Sequence, residues 1–471
     1  MQNNRIPSNV KTIHLIAVCG TGMGALACML HELGVTVTGS DHKVYPPMST
    51  FLAQRGICLS EGFQAQNLAY GPDLVVVGNA VSKDNPEVVQ MEQMGLPFCS
   101  MPQAVNHFAV GSKKVLMVTG THGKTTTSAL LTWLLYEAGH DPSFMIGGLL
   151  PNFDSNYRLG QGNAIVIEGD EYDTAFFDKG PKFLHYNPHM TILTSIEFDH
   201  ADIFKDLDDV KAAFGQLIAR LSKTSTLVAY NGDVNVAALV QRCRCRLQPY
   251  GCHGEAPWSL GEVVVEPPWT HFEVFKQGEL FNRFVTRLMG THNLLDALAA
   301  IAVADGMNVA ATDMNRALKT FQGVKRRQEI RGNKNGITVM DDFAHHPTAV
   351  RETIRAVKPF FPNGRLLAVF EPRTNSSMRR VFQSIYPLAF DSADLVCIRQ
   401  PPLLAKIAVH DRFSSEKLVA DLKERGRDAY FFKDTEGIID FLTKSARAGD
   451  VVLIMSNGGF DNIHERLLDR L

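Results

Sequence analysis

The sequence predicts an α/β protein of three domains, and three observations predict it. The chain has 471 residues, which at roughly 150 per domain makes about three. Short apolar, β-branched runs alternate with helical stretches along its whole length, the pattern of parallel sheets covered on both faces. Three of those runs, at 13–18 (IHLIAV), 115–119 (VLMVT) and 366–370 (LLAVF), open onto turns at Gly20, Gly120 and Glu371.

The remaining strands are read in chain order at 74–77, 164–167, 191–196, 227–229, 395–398 and 451–455, with helices between them. No internal repeat interrupts the alternation. The polar stretch 108–114 and the charged, glycine-bearing stretch 323–336 read as boundaries, giving domains at 1–109, 110–325 and 326–471. The region 242–279 differs: Trp258, Trp269 and prolines 257, 267 and 268 suggest a small antiparallel or irregular insert.

Composition narrows the function classes. The chain is 45% hydrophobic and 20% charged, ordinary for a soluble globular protein. With 47 Lys+Arg against 49 Asp+Glu the formal net charge is −2, so no basic field speaks for nucleic acid or a membrane surface as partner. No apolar run approaches the roughly 18–20 residues of a transmembrane helix. The first apolar stretch reads as a strand, not a leader. Eight scattered cysteines suggest reduced thiols in a cytoplasm.

The first glycine cluster, GTGMGA at 20–25, follows a strand and precedes an apolar helix expected at 25–33. Gly20, Gly22 and Gly24 let the backbone approach a pyrophosphate, which then meets helix N–H groups and the positive end of the dipole. Asp41, at the end of the next strand, is placed to accept from a sugar hydroxyl. The pattern fits NAD and nucleotide sugars alike. The second cluster, TGTHGKTTT at 119–127, again joins a strand to a helix, expected at 128–138. Its N–H groups can cradle phosphates, Lys124 can reach the β- and γ-phosphates, and the Thr125 hydroxyl can bind Mg²⁺. It departs from the usual P-loop spacing, because Val118 stands where a glycine is expected and the glycine is at 120.

Two acidic clusters end later strands: EGDEYD at 168–173 and EFDHAD at 197–202. Carboxylates there project at the ligand-binding end of a parallel sheet, and Mg²⁺ needs only one or two of them. GTHN at 290–293 precedes a helix expected at 294–304, where Asn293 reads more readily as a cap than as a base contact. DDFAHHP at 341–347 follows a strand. Its adjacent histidines do not share one helical face, which disfavours zinc. Cys243, Cys245, Cys252 and His253 lack the paired metal spacing. Lys325, Arg326 and Arg327 read either as a solvated run at a hinge or as a source of an arginine for the γ-phosphate.

Together these motifs, in this order over nearly the whole chain, resemble the Mur ligase family, the ATP-dependent amide-forming enzymes of peptidoglycan synthesis. The resemblance implies a Rossmann-like N-terminal domain, a central P-loop ATPase domain and a Rossmann-like C-terminal domain. It implies that Gly20, Gly22, Gly24, Ser40 and Asp41 hold a UDP-sugar. Gly120, Thr121, His122, Gly123, Lys124, Thr125, Thr126, Asn293, Arg327 and Asp342 would contact ATP, and Thr125, Glu168 and His200 would hold Mg²⁺. Lys124, Glu168 and His200 would be the catalytic group, and His345, Arg373 and Asn375 would face the amine substrate. Arg373 is assigned there by chemistry, since a guanidinium fork pairs bidentately with a carboxylate.

Members that add the later peptide residues carry a carbamylated lysine about fifteen residues after the histidine matching His200. Here KAAFG at 211–215 places glycine there, which points to the branch that loads muramic acid itself. Within it, VYPPMS at 44–49, DEYDTAFFD at 170–178, EPRTN at 371–375 and MSNGGF at 455–460 favour joining UDP-N-acetylmuramate to the tripeptide L-Ala-γ-D-Glu-meso-diaminopimelate. Joining free L-alanine is the alternative. A nicotinamide-dependent oxidoreductase would explain GTGMGA but leave GTHGKTTT idle. A non-catalytic P-loop regulator is a third possibility.

Overall fold

The computed structural model describes residues 3–42, 44, 48–252, 254 and 256–471. Its chain divides into two compact units. The first is built from Met1–Ile196, Asp208–Gly251 and Ala299–Ala317, the second from Glu197–Leu207, Cys252–Leu298 and Leu318–Leu471.

The first unit opens with a five-stranded sheet in the order Cys58–Glu61, Thr36–Asp41, Thr12–Ile16, Leu74–Val77 and Phe98–Ser100. Every pair in it is parallel. Leu74–Val77 is buried at all four positions, as a strand covered on both faces must be. Within the same unit residues 246–251, Thr226–Tyr230, Pro188–Leu193, Lys114–Thr119, Ala164–Gly169 and Ser143–Leu150 follow one another in a second sheet, with Ser155–Arg158 antiparallel at its end. The parallel strands aim their C-terminal ends the same way, where the glycine turn at 120–123 sits.

The second unit holds a six-stranded sheet ordered Glu329–Lys334, Ile337–Asp342, Val451–Met455, Leu366–Phe370, Leu395–Arg399 and Ala429–Phe432. Its central strands supply two cores by alternation. Leu366, Ala368 and Phe370 enter one with Leu453 and Met455; Leu367 and Val369 enter the other with Val452 and Ile454. Each such large side chain, fully buried, contributes about 2 kcal/mol.

Helices begin earlier than the apolar pattern suggests, at Thr21–Glu32, Lys124–Glu137 and Thr291–Gly306. The stretch 323–336 is not a linker throughout: Glu329–Lys334 pairs antiparallel with Ile337–Asp342. The 242–279 region also needs correcting. Arg246–Cys252 extends the parallel sheet beside Thr226–Tyr230. The antiparallel part is Trp258–Glu266, Trp269–Lys276 and Glu279–Thr286. Among the described residues no helix is long and apolar enough to cross a membrane. All eight cysteines are free thiols. Tyr45, Pro46, Pro47 and His253, singled out from the sequence, lie outside the described residues.

Candidate active site

The first glycine turn is shaped by backbone bonds. Ala17, at φ 66°, and Val18 both donate their N–H to the Ser40 carbonyl, at 2.9 and 3.0 Å. The Cys19 N–H donates to Asp41 Oδ2 at 2.9 Å. Two of the three glycines answer to packing. A Cβ on Gly24 would lie 2.6 Å from Met48 Sδ, and one on Gly22 would lie 3.2 Å from Met101 Sδ. The helix Thr21–Glu32 has no acidic residue in its first turn, so its dipole is left uncompensated for an anion. Ser40 sits differently from the expectation. It is fully buried and its hydroxyl donates to Glu87 Oε2 at 2.5 Å, which makes it a support of the turn, with its carbonyl the bracing group.

The second turn answers the question of the displaced glycine. Val118 is a buried position of the strand, and the chain turns only at Gly120, where φ is 132°. A Cβ there would meet Thr194 Oγ1 at 2.1 Å. The loop is tied to the neighbouring strand end: Thr121 N–H donates to the Ser195 carbonyl at 2.9 Å, His122 N–H to Ser195 Oγ at 3.1 Å, and Thr194 Oγ1 to the His122 carbonyl at 2.5 Å. Gly123 takes the left-handed conformation as N-cap, φ 80° and ψ −10°, and Lys124, Thr125 and Thr126 form the first helical turn. Only glycine fits both bends without strain.

Around Lys124 stands a buried charge network. Its Nζ donates to the Gly120 carbonyl and to Glu171 Oε2, both at 2.8 Å, and Asp170 lies 3.9 Å away. Burial pulls the ammonium down, yet Glu171 and Asp170 outweigh it and raise its pKa. Lys182 pairs with Asp170 Oδ2 at 3.3 Å, and the two lysines hold Asp170 below its ordinary value against burial. Glu168, by contrast, is raised, first by burial and then by Asp170. It accepts from the Gly147 N–H at 2.8 Å and from the Thr125 hydroxyl. An oxygen pair of this kind, with a desolvated carboxylate whose charge lacks a full partner, fits a hard cation such as Mg²⁺. Sequence reasoning missed Lys182, Thr194 and Ser195. Isolated residues in GPKFLH and LTSIE carry no signal of their own.

In the second unit, His200 has φ 53° and follows Asp199, whose Oδ1 accepts its N–H at 2.7 Å. His345 Nε2 lies 3.7 Å from Asp199 Oδ2. Burial pushes Asp199 up, but His345, His200 and His346 hold it well below its usual range. Ala201 N–H donates to Ser376 Oγ at 3.1 Å and Asn375 to Asp202 at 2.9 Å. His346 caps the helix Pro347–Val357: its Nδ1 accepts from Thr348 N at 3.2 Å, while Nε2 meets the Phe198 carbonyl at 3.2 Å. The same Nδ1 lies 3.4 Å from Glu197 Oε2.

Asn293 is no cap, because its helix starts two residues earlier. Its amide donates to the Met289 carbonyl at 2.9 Å and to Gln328 Oε1 at 3.0 Å. Gln328 in turn donates its N–H to Asp342 Oδ2 at 2.8 Å, and Ala344 donates to Oδ1 at 2.7 Å. Burial raises the Asp342 carboxyl although Arg327 opposes it. Asn293, Arg327 and Asp342 are thus gathered around Gln328, a residue the sequence did not flag. The basic run is not freely solvated. Lys325 pairs with Glu329 at 2.7 Å, Arg326 donates to the Ser456 and Gly458 carbonyls at 2.6 Å, and the Arg327 guanidinium lies 4.7 Å from the Phe343 ring centre.

The EPRTN and MSNGGF stretches meet at adjoining strand ends. Glu371, fully buried, binds Arg399 and accepts from Ser456 Oγ at 2.7 Å. Arg373, one third exposed, lies 3.8 Å from Glu371 Oε1, and a Cβ on Gly458 would sit 2.3 Å from its Cδ.

Comparison with known proteins fits this architecture. Three family models match in succession: the Mur ligase family catalytic domain over residues 12–113, the Mur ligase middle domain over 118–304, and the Mur ligase glutamate ligase domain over 326–458. The chain is 39% identical over 461 residues to the UDP-N-acetylmuramate–L-alanyl-γ-D-glutamyl-meso-2,6-diaminoheptandioate ligase of Escherichia coli K12, covering 98% of each. It is 32% identical over 460 residues to a UDP-N-acetylmuramate–L-alanine ligase of Desulforapulum autotrophicum, again covering 98% of each. Among solved structures, a murein peptide ligase from Psychrobacter arcticus matches with a TM-score of 0.73, at 33% identity and 98% coverage of each chain.

Proposed function

The chain belongs to the Mur ligase family, and from that premise we propose that it joins UDP-N-acetylmuramate to L-Ala-γ-D-Glu-meso-diaminopimelate with ATP, in the cytoplasm, as a step of peptidoglycan recycling. One observation carries the choice of amine. At equal coverage, identity is 39% to the E. coli ligase named for that tripeptide and 32% to the D. autotrophicum ligase named for L-alanine. We also propose the domain bounds 1–109 for the UDP-sugar, 110–325 for ATP and 326–471 for the amine.

The lactyl carboxylate is a poor electrophile. It attacks the γ-phosphorus of ATP, ADP leaves, and an acyl phosphate forms. The amine then adds to the activated carbonyl and phosphate departs, leaving the amide. The first step brings two anions together, so the site must supply positive charge. Lys124 does so from its buried position, and the N–H groups of 123–125, at the open end of the helix, hold the phosphates. Bound Mg²⁺ would supply further neutralisation, with Thr125 and Glu168 as ligands for one ion and His200 for a second. The N–H groups of the first turn take the pyrophosphate of the UDP-sugar, with Asp41 beside it. Asn293, Arg327 and Asp342 serve the nucleoside side of ATP; His345, Arg373 and Asn375 serve the peptide.

The test is ATP-dependent condensation of UDP-N-acetylmuramate with a panel of amines, read by product mass. The tripeptide product, with ADP and phosphate in equal amounts, is expected. Turnover with L-alanine alone would overturn the peptide reading in favour of the alanine branch.

A further inference from the structure

A cavity of about 310 Å³ opens at the opposite end of the ATPase sheet from the glycine turn, where Lys114–Thr119, Pro188–Leu193 and Thr226–Tyr230 begin. Lys113, Lys114, His189 and Arg220 line it, together with the hydroxyls of Ser222 and Thr224, and no carboxylate does. In a chain with 47 basic and 49 acidic residues, a concavity of one sign focuses its field on small anions. Lys114, His189 and Arg220 have no carboxylate partner among the described residues. Lys113 is anchored, its ammonium donating to the Gly160 and Gly162 carbonyls at 3.0 and 2.6 Å.

The local backbone is built to present these groups. The pairing of Pro188–Leu193 with Lys114–Thr119 shifts register between Pro188 and Met190, which leaves His189 as the extra residue of a bulge. Bulges of this kind re-aim a side chain out of the ladder. Ser225 Oγ donates to the Pro188 carbonyl at 2.7 Å, bracing the bulge from the next strand, and Ser222 and Thr224 share a hydroxyl hydrogen bond of 2.9 Å at the rim. The positive field is felt by its own members: burial and, after it, the Lys114 ammonium hold the His189 imidazole below its ordinary value.

We propose that this cavity is a third anion site, separate from the reaction, that binds the phosphoryl group of a small phosphorylated molecule or inorganic phosphate. Three cationic or imidazole donors and two hydroxyls match the three oxygens of a phosphoryl group, which accepts several charge-assisted hydrogen bonds at once. The strand Lys114–Thr119 runs from the cavity to Gly120, a span of about 20 Å, so the two phosphate sites occupy opposite ends of one strand.

Calorimetric titration of the full-length protein tests this, with ADP, Mg²⁺ and UDP at saturation to fill both glycine turns. Inorganic phosphate is one probe and glucose 1-phosphate the other. A saturable binding event is expected that weakens at least about tenfold in Lys114→Ala and again in the Lys114→Ala/Arg220→Ala double variant. Both residues are exposed, so the variants should keep the unfolding temperature and the ATP turnover of the parent. The tighter probe identifies whether a free or an esterified phosphoryl group is preferred. Absence of binding with both probes, or binding unchanged in the double variant, overturns the proposal.

Discussion

Both glycine turns of the first unit leave a parallel strand and enter a helix, yet glycine serves them differently. At 120 and 123 the backbone itself is left-handed, with φ of 132° and 80°, and no other residue takes that path cheaply. At Gly20 the backbone is ordinary, φ −69°, and the need at Gly22 and Gly24 is for room beside Met101 and Met48. Charge differs too. The first turn offers N–H groups and Asp41. The second adds Lys124 and a set of buried acids. A turn that only holds a diphosphate needs shape and a dipole; a turn where a phosphoryl group is transferred also needs balanced, desolvated charge.

The contrast can be broken by substitution, the deepest cut first. Lys124→Ala should lower ligase turnover about 1,000-fold, measured by phosphate release, with UDP-sugar binding intact. Gly120→Ala combines a strained φ with a 2.1 Å approach to Thr194 and should cost about 3 kcal/mol, seen in denaturant unfolding and in lost ATP affinity. Asp41→Ala should raise the KM for the UDP-sugar about tenfold, roughly 1.4 kcal/mol, and leave that for ATP unchanged. Glu87→Gln probes the support beneath the first turn. Burial pushes that carboxyl up, but His14, Ser40 and Asn67 hold it below its ordinary value of 4.5. Its stabilisation is therefore complete above about pH 4.5 and is lost as the pH falls through the lowered value. The variant should lose about 1 kcal/mol at pH 7 and the gap should narrow in acid, read from unfolding temperatures. Gly20→Ala, with no neighbour closer than 3.9 Å, should stay within about 0.5 kcal/mol of the parent. If it were as damaging as Gly120→Ala, the distinction between the turns would fail.

Much of this was legible in the sequence because the responsible forces are local. Buried parallel strands read as β-branched runs, and Leu74–Val77 and Val451–Met455 stand at their expected bounds. Lys124 and Thr125 are legible because a phosphate cradle needs contiguous residues. What escaped depends on contacts across the fold. Glu329–Lys334 is a polar edge strand, mostly half-buried or exposed, so its composition matches a linker and only its partner makes it a strand. The Gln328 bridge between Asn293 and Asp342 joins residues distant in sequence, and no local pattern announces it. Asn293 misled as a cap because GTH, not Asn, opens that helix.

The register between Lys114–Thr119 and Ala164–Gly169 sets Val118 opposite Glu168 and Thr119 opposite Gly169, and the Thr119 hydroxyl closes the pair by donating to the Gly169 carbonyl at 2.6 Å. Side chains alternate along a strand, so a slip of one residue would turn Glu168 to the far face of the sheet. Descent can therefore change the letters of these two strands far more freely than their count. A single-codon insertion within either should be rarer among living descendants than any apolar exchange, because it separates the phosphate loop from its carboxylate in one event.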